Sequence, residues 1–190
     1  MAFFTKSEAR AAATSARGYR TAKAVLTATM ESYKEHEKFD IFLSHSSVDS
    51  DLVLGVMILL QKQNLNVYVD WVVDRQLNRN SVDKATAATL RQRMKHSHSM
   101  IYIATDSASN SKWMPWELGF FDGHKPGQVA ILPLQDTENQ SFQGQEYLGL
   151  YPVVTKHLQN NTMNHYIEDR GNKWSTLSNF ARGVPSWKGY

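Results

Sequence analysis

No cysteine occurs among the 190 residues, which removes disulfide stapling, thiolate catalysis and cysteine-ligated zinc together. Long apolar runs are missing too. The longest, Leu52 to Leu60, is interrupted by Gly55 and falls well short of the roughly 20 residues that a membrane span needs. No GxGxxG follows the first apolar run and no GxxxxGK[ST] occurs anywhere, against both a Rossmann fingerprint and a phosphate-binding P-loop. Charge of one sign is not in large excess either. The net +3 is concentrated at the start, where Lys6, Arg10, Arg17, Arg20 and Lys23 face only Glu8, and the rest of the chain is close to neutral. A pI near 9.0 therefore does not predict a nucleic-acid partner. The start is basic and rich in Ala, Ser and Thr, but has no apolar h-region of a secretory signal. With the missing cysteines this predicts a cytoplasmic protein with no membrane partner.

Hydrophobic residues make up 42% of the chain and aromatics 11%, a composition that folds. The length suits one full core rather than two. Ala9, Ala12, Ala13, Ala16, Tyr19, Ala22, Val25, Leu26, Thr29 and Tyr33 recur at helical spacing, which predicts one helix over residues 7 to 36. Gly18 inside it costs about 1 kcal/mol relative to Ala. The helix either covers its own domain or pairs with a second copy; its stripe is mostly Ala and suits a bilayer poorly.

From Phe39 onward, strands and helices alternate. Phe39 to Ser44 is a nearly continuous apolar run, as in a buried parallel strand. Ser47 and Asp49 are cap candidates for a helix from Ser50 to Gln63. Val67 to Val69 predicts a second strand, Val82 to Lys95 a helix capped by Ser81, and Met100 to Ala104 a third strand. A polar loop over residues 105 to 111 leads into a helix from Lys112 to Asp122, and Val129 to Leu134 predicts a fourth strand. Further on, His165 to Glu168 reads as a fifth strand and Lys173 to Arg182 as a closing helix. This alternation implies βαβ units: an α/β fold with a central parallel five-stranded sheet, helices on both faces and an N-terminal helix.

Ligands of such sheets sit beyond the carboxyl ends of the strands, which directs attention to residues 45 to 49, 70 to 80 and 105 to 117. Trp113 and Glu117 are four apart and share a helix face, with Pro115 confined to the first turn. Glu117 is then either a first-turn acid complementing the helix dipole or a carboxylate beside an aromatic wall where a ligand binds. His45, Ser46, Ser47 and Asp49 superficially suggest a hydrolase triad, but neighbours on one turn do not have triad geometry. His45 and Ser46 read as pocket-lining or as helix-capping residues, Asp70 as a turn residue or a ribose ligand, and Trp71 as packing or as a stacking surface. His96 and His98 lack the further ligands a metal site needs and read as surface residues, so no metal is expected. A phosphoryl-receiver reading lacks the acidic pair after the first strand.

Four segments in register are similar to bacterial TIR (Toll/interleukin-1 receptor) domains. Phe39-Asp40-Ile41-Phe42-Leu43-Ser44-His45-Ser46-Ser47-x-Asp49 resembles their opening strand and loop. Val67-Tyr68-Val69-Asp70 resembles the strand before the BB loop. Ser107 to Trp113 with Glu117-Leu118 resembles the block carrying the W-x-x-x-E pair, and Tyr147 to Pro152 a further shared stretch. Met114 stands where a Cys is common in the family, and residues 74 to 80 lack the usual Pro or Gly.

The resemblance covers about residues 39 to 180. It implies a flavodoxin-like TIR domain over 39–183, after an N-terminal helical extension (1–38) and before a short tail (184–190). It implies NAD+ as substrate rather than cofactor, with cleavage of the nicotinamide–ribose bond to ADP-ribose or a cyclic isomer. Glu117 would be the catalytic residue, with His45, Ser46, Asp70, Trp71 and Trp113 lining the substrate. It also implies a homo-oligomer built through TIR–TIR contacts, a role in antiphage immunity of the Thoeris type, and a downstream effector that senses the product. Two other readings stand beside it: a non-catalytic TIR scaffold and a nucleoside-processing N-glycosidase.

Overall fold

The computed structural model describes residues 2–70, 84–138, 140, 142, 144–159, 161–169 and 172–189. In chain order its elements are β1 (Phe4–Thr5), α1 (Lys6–Arg17), α2 (Ala22–Glu31), β2 (Phe39–Ser44), α3 (Ser50–Gln61), β3 (Val67–Val69) and α4 (Lys84–Lys95). They continue with β4 (Ser97–Ala104), α5 (Trp113–His124), β5 (Val129–Gln135), β6 (Val153–Gln159), β7 (Thr162–Asp169), β8 (Lys173–Thr176), α6 (Leu177–Ala181) and β9 (Lys188–Gly189). Short 3-10 turns occupy Ala108–Asn110 and Glu146–Leu150.

The sheet runs β3-β2-β4-β5-β6-β7-β8-β9. Its first five strands are mutually parallel. Numbered among themselves, they have the 2-1-3-4-5 order of the flavodoxin-like fold. The direction of winding reverses between β2 and β4, so the crevice for a ligand opens beyond Ser44 and Ala104.

Side chains alternate across the sheet with period two. Ile41, Leu43, Ile101, Ile103, Ala130, Leu132 and Leu134 face one apolar layer, shared with residues of α1, α2, α3 and α6. Phe42, Met100, Tyr102, Val129 and Ile131 face the other, shared with residues of α4 and α5. Helices on both faces and a parallel centre are as expected from the sequence.

Three expectations need correction. The fifth parallel strand is β6, not His165 to Glu168, which lies in β7 and pairs antiparallel with β6. β7, β8 and β9 extend the sheet as an antiparallel meander. The closing helix expected over Lys173 to Arg182 is half strand. β8 takes Lys173–Thr176, and Thr176 then caps the short α6 by accepting from the Asn179 amide.

The single helix expected over 7 to 36 is two. α1 ends at Gly18, whose φ of 56° suits glycine. Thr21 starts α2 by accepting from the Ala24 amide. Tyr19, placed on the buried stripe by its spacing, is in the connection and fully exposed.

The N-terminal segment is built into the core. Phe4 and Thr5 pair in parallel with Leu134 and Gln135 of β5. Thr5 and Glu8 form a reciprocal capping box that starts α1. α1 lies so close on α3 that a Cβ on Gly55 would sit 1.9 Å from the Ala9 carbonyl oxygen. Lys156 of β6, fully buried, reaches back to the carboxylates of Glu8 at 2.7 Å and Glu138 at 3.0 Å, with its ammonium 5.3 Å from the Phe4 ring. Of the two roles considered for this segment, covering an apolar face of its own chain is the one the packing supports.

Candidate active site

β2 ends on Ser44, and the strand period turns Ser44 toward the same side as Phe42, where α5 lies. α5 begins at Trp113, with Pro115 as its third residue. A first-turn proline removes no helical hydrogen bond. Glu117 is the fifth residue, already in the second turn. It is only 3% exposed. A carboxylate that complements a helix dipole sits in the first turn and in water; one buried this deeply is costly unless partnered. Ser44 Oγ supplies one partner, donating to Glu117 Oε2 at 2.6 Å.

Other groups converge on this carboxylate. Tyr68 of β3 has its phenol pKa raised, chiefly by burial, then by the charge of Asp70, with a smaller contribution from Glu117. Arg93 opposes these. Tyr102 of β4 is raised by burial first, then by Tyr147 and by Glu117. Tyr68 therefore feels the charge of Asp70, which follows β3, and that of Glu117 on α5. Tyr102 pairs directly with Ser44 across the β2–β4 ladder.

The loop after β2 starts in the interior and then emerges, with Ser47 and Val48 exposed. His45 and Ser46 are both in the interior, and His45 Nδ1 lies 3.2 Å from the Ser46 carbonyl oxygen. Asp49 precedes α3, but its side chain does not cap it. Its carboxylate instead accepts from Thr105 Oγ1 at 3.0 Å and from Ser107 Oγ, clamping the loop after β2 to the loop after β4. Ser111 supports the start of α5 by accepting from the Met114 amide at 3.3 Å.

Of the residues singled out from sequence, His45, Ser46, Asp70 and Glu117 come to one end of the sheet. Trp113 is a core residue, its ring edge-on to Trp116 at 5.4 Å. Trp71, residues 74 to 80 and the expected Ser81 cap lie outside the described residues. Ser44 is what sequence reading missed. In the sequence it reads as the end of a strand, although the alternation Phe42, Ser44 turns it toward α5. Among the described residues, no group of three or more His, Asp or Glu side chains could hold a metal ion.

No protein-family profile matches the chain. A protein of Bacillus cereus (strain MSX-D12), named as probable 3' cyclic ADP-D-ribose synthase ThsB', is 45% identical over 138 residues, covering 72% of this chain and 71% of that protein. A second, putative cyclic ADP-D-ribose synthase TIR2 of Cytobacillus dafuensis, is 30% identical over 83 residues, covering 43% of this chain and 22% of that protein. The chain belongs to the bacterial TIR family. In this TIR protein the strand order, the buried acid on α5 and its serine support form one arrangement at the winding reversal of the sheet.

Proposed function

We propose that this TIR protein cleaves the bond between nicotinamide and ribose in NAD+ and closes the resulting ADP-ribosyl group into a cyclic ADP-ribose. The observation that carries this reading is the Glu117 carboxylate, buried at the ligand edge of the sheet and held by Ser44. The relatives named as cyclic ADP-D-ribose synthases supply the substrate class.

The chemistry matches one carboxylate rather than two. Nicotinamide is a cation in NAD+ and leaves neutral, taking the bonding electron pair onto its ring nitrogen. It needs no proton, so the general acid of ordinary glycosidases is superfluous. What remains is a ribosyl carbon with oxocarbenium character. A fixed negative charge in a dry site stabilises it without reorganisation. Glu117 supplies that charge, and Ser44 holds the oxygen in place. A hydroxyl of the adenosine ribose then bonds to the cationic carbon and gives up its proton, to Glu117 or to water, which balances the step. Attack by water instead gives linear ADP-ribose. Asp70, His45 and Ser46 line the substrate in this reading, and NAD+ is consumed as substrate with no further cofactor.

The same reading places the protein in the cytoplasm as a signal generator in antiphage immunity of the Thoeris type, assembled through TIR–TIR contacts, with an effector that senses the cyclic product. Incubating the purified protein with NAD+ and following free nicotinamide tests it. Nicotinamide release with a product of ADP-ribose mass less one water supports cyclisation. No release under any assembly condition leaves the scaffold reading.

A further inference from the structure

A cavity of about 610 Å³ opens between the loop after β4 and the segment after β5, at the ligand edge of the sheet but on the far side of β4 from Glu117. Its volume lies in the range of small-molecule sites. Its lining is chemically specific. Gln135, Gln140 and Gln145 line it; the side-chain oxygens of Gln140 and Gln145 already accept from the Asp136 amide and the Tyr147 hydroxyl, and each side chain carries an NH2 group that can donate. Phe142 and Leu148 supply apolar wall. Among the described lining residues the one cation is Lys6, and it is already paired with Asp106 at 3.1 Å and Asp136 at 3.2 Å.

That charge balance decides the ligand class. A pyrophosphate would meet a doubly paired lysine between two carboxylates and be repelled. An uncharged nucleoside fits on every count: amides for the edge of the base, an aromatic ring and a leucine for its face, and carboxylates at the rim to accept from a ribose diol.

The cavity also communicates with the acid. Tyr102 forms part of its wall. The tyrosine is completely buried, and its hydroxyl interacts with that of Tyr147, which follows the cavity-lining Gln145 by two residues. Tyr102 stands opposite Ser44 in the β2–β4 ladder, and Ser44 holds Glu117. Neighbouring strands are about 5 Å apart, so cavity and acid are separated by little more than one strand. A dinucleotide reaching both cannot be extended.

We propose that this cavity seats the adenosine half of NAD+, folding the dinucleotide so that an adenosine hydroxyl, rather than water, captures the ribosyl carbon beside Glu117. The proposal rests on the NAD+-cleaving reading for its reaction, and the cavity is what makes the enzyme a cyclase rather than a hydrolase.

Two variants test it: Ser109→Trp, which fills the mouth from an exposed position, and Gln145→Ala, which removes one amide. Nicotinamide release and product masses are measured for both with NAD+, and equilibrium binding of adenosine alone is measured by calorimetry. The expected result is a KM for NAD+ raised about tenfold, a fall in the cyclic share of product in favour of linear ADP-ribose, and loss of adenosine binding in Ser109→Trp. Folded variants with wild-type KM, wild-type product ratio and wild-type adenosine binding overturn the proposal. If the wild type releases no nicotinamide, the cleavage reading fails separately. Adenosine binding then still decides the site: binding abolished by Ser109→Trp supports it, and binding absent from the wild type or unaffected by the variant overturns it.

Discussion

Ser44→Ala isolates the support of the candidate acid from the acid itself. The substitution deletes one oxygen, leaves the β2–β4 backbone pairing at Ser44 and Tyr102 untouched, and creates no steric conflict. What it removes is the 2.6 Å hydrogen bond to Glu117 Oε2. A hydrogen bond to a charged group is worth about 1.5–3 kcal/mol. Expressed entirely in the transition state, that range corresponds to roughly 10- to 160-fold in rate. Glu117 keeps its other surroundings, so the lower end applies: kcat for nicotinamide release should fall about tenfold. Ser44 touches the carboxylate and acts as a positioning residue, so KM should stay within about twofold. Losing a donor that favours the ionised acid should also move the acid limb of the rate profile to higher pH. The assay is initial-rate nicotinamide release against pH, with circular dichroism to show that the variant folds. A folded Ser44→Ala with wild-type kcat and an unmoved acid limb would refute the positioning role.

Gly55→Ala should destabilise the protein by about 1–3 kcal/mol in urea denaturation, because overpacking against the Ala9 backbone outweighs the helix propensity of about 1 kcal/mol that alanine brings; a stabilised variant would contradict the close α1–α3 approach. A chain starting near Glu37 loses Phe4, Ala9, Ala13 and Leu26 from the core and should aggregate in light scattering, whereas a monodisperse, folded remainder would show the N-terminal segment to be dispensable. The cluster around Lys156 should make stability sensitive to acid. The pKa of His165 is lowered from 6.5 by burial and then by Lys156, with Glu8 opposing. Burial raises the pKa of Glu8, but Lys156 and Thr5 outweigh it and hold the carboxyl below 4.5. Both native-state values lie below those of the unfolded chain, so this stability is complete above about pH 6.5 and is lost as pH falls, first through His165 and then through Glu8. The melting temperature of His165→Phe should lack the first of these declines, and an unchanged profile would remove His165 from the account.

The parallel centre is legible because buried strands such as Phe39–Ser44 and Val129–Gln135 are apolar runs of the right length between segments of helical periodicity. β6 was missed for a physical reason. Lys156 and His157 make Val153–Gln159 look like an exposed segment, and only the folded chain brings Glu8, Glu138 and Glu168 to meet them. The break in the N-terminal helix was written in Gly18 and Thr21, a stop and a start signal three residues apart, but the alanine periodicity on either side masked it. At the candidate site, the spacing from Trp113 leaves Glu117 open between a helix-dipole acid and a ligand-side carboxylate, and the resemblance to TIR domains is what singles it out. Its burial and its serine partner depend on the distance between β2 and α5, which no local pattern encodes. The cavity beyond β4 is farther still from local reading, since Lys6, Asp106, Gln135 and Gln145 come together only through the sheet order.

The central claim is that the buried carboxylate of Glu117 drives cleavage of NAD+. Glu117→Gln keeps the shape and can still accept from Ser44 while removing the charge. Side-by-side nicotinamide release by the wild type and this variant, both shown to be folded and analysed by mass spectrometry, tests that claim most directly. The account predicts release with a cyclic product by the wild type and a rate lower by about a hundredfold or more in the variant, as for the loss of one electrostatic stabiliser. Equal rates in the two proteins would contradict it.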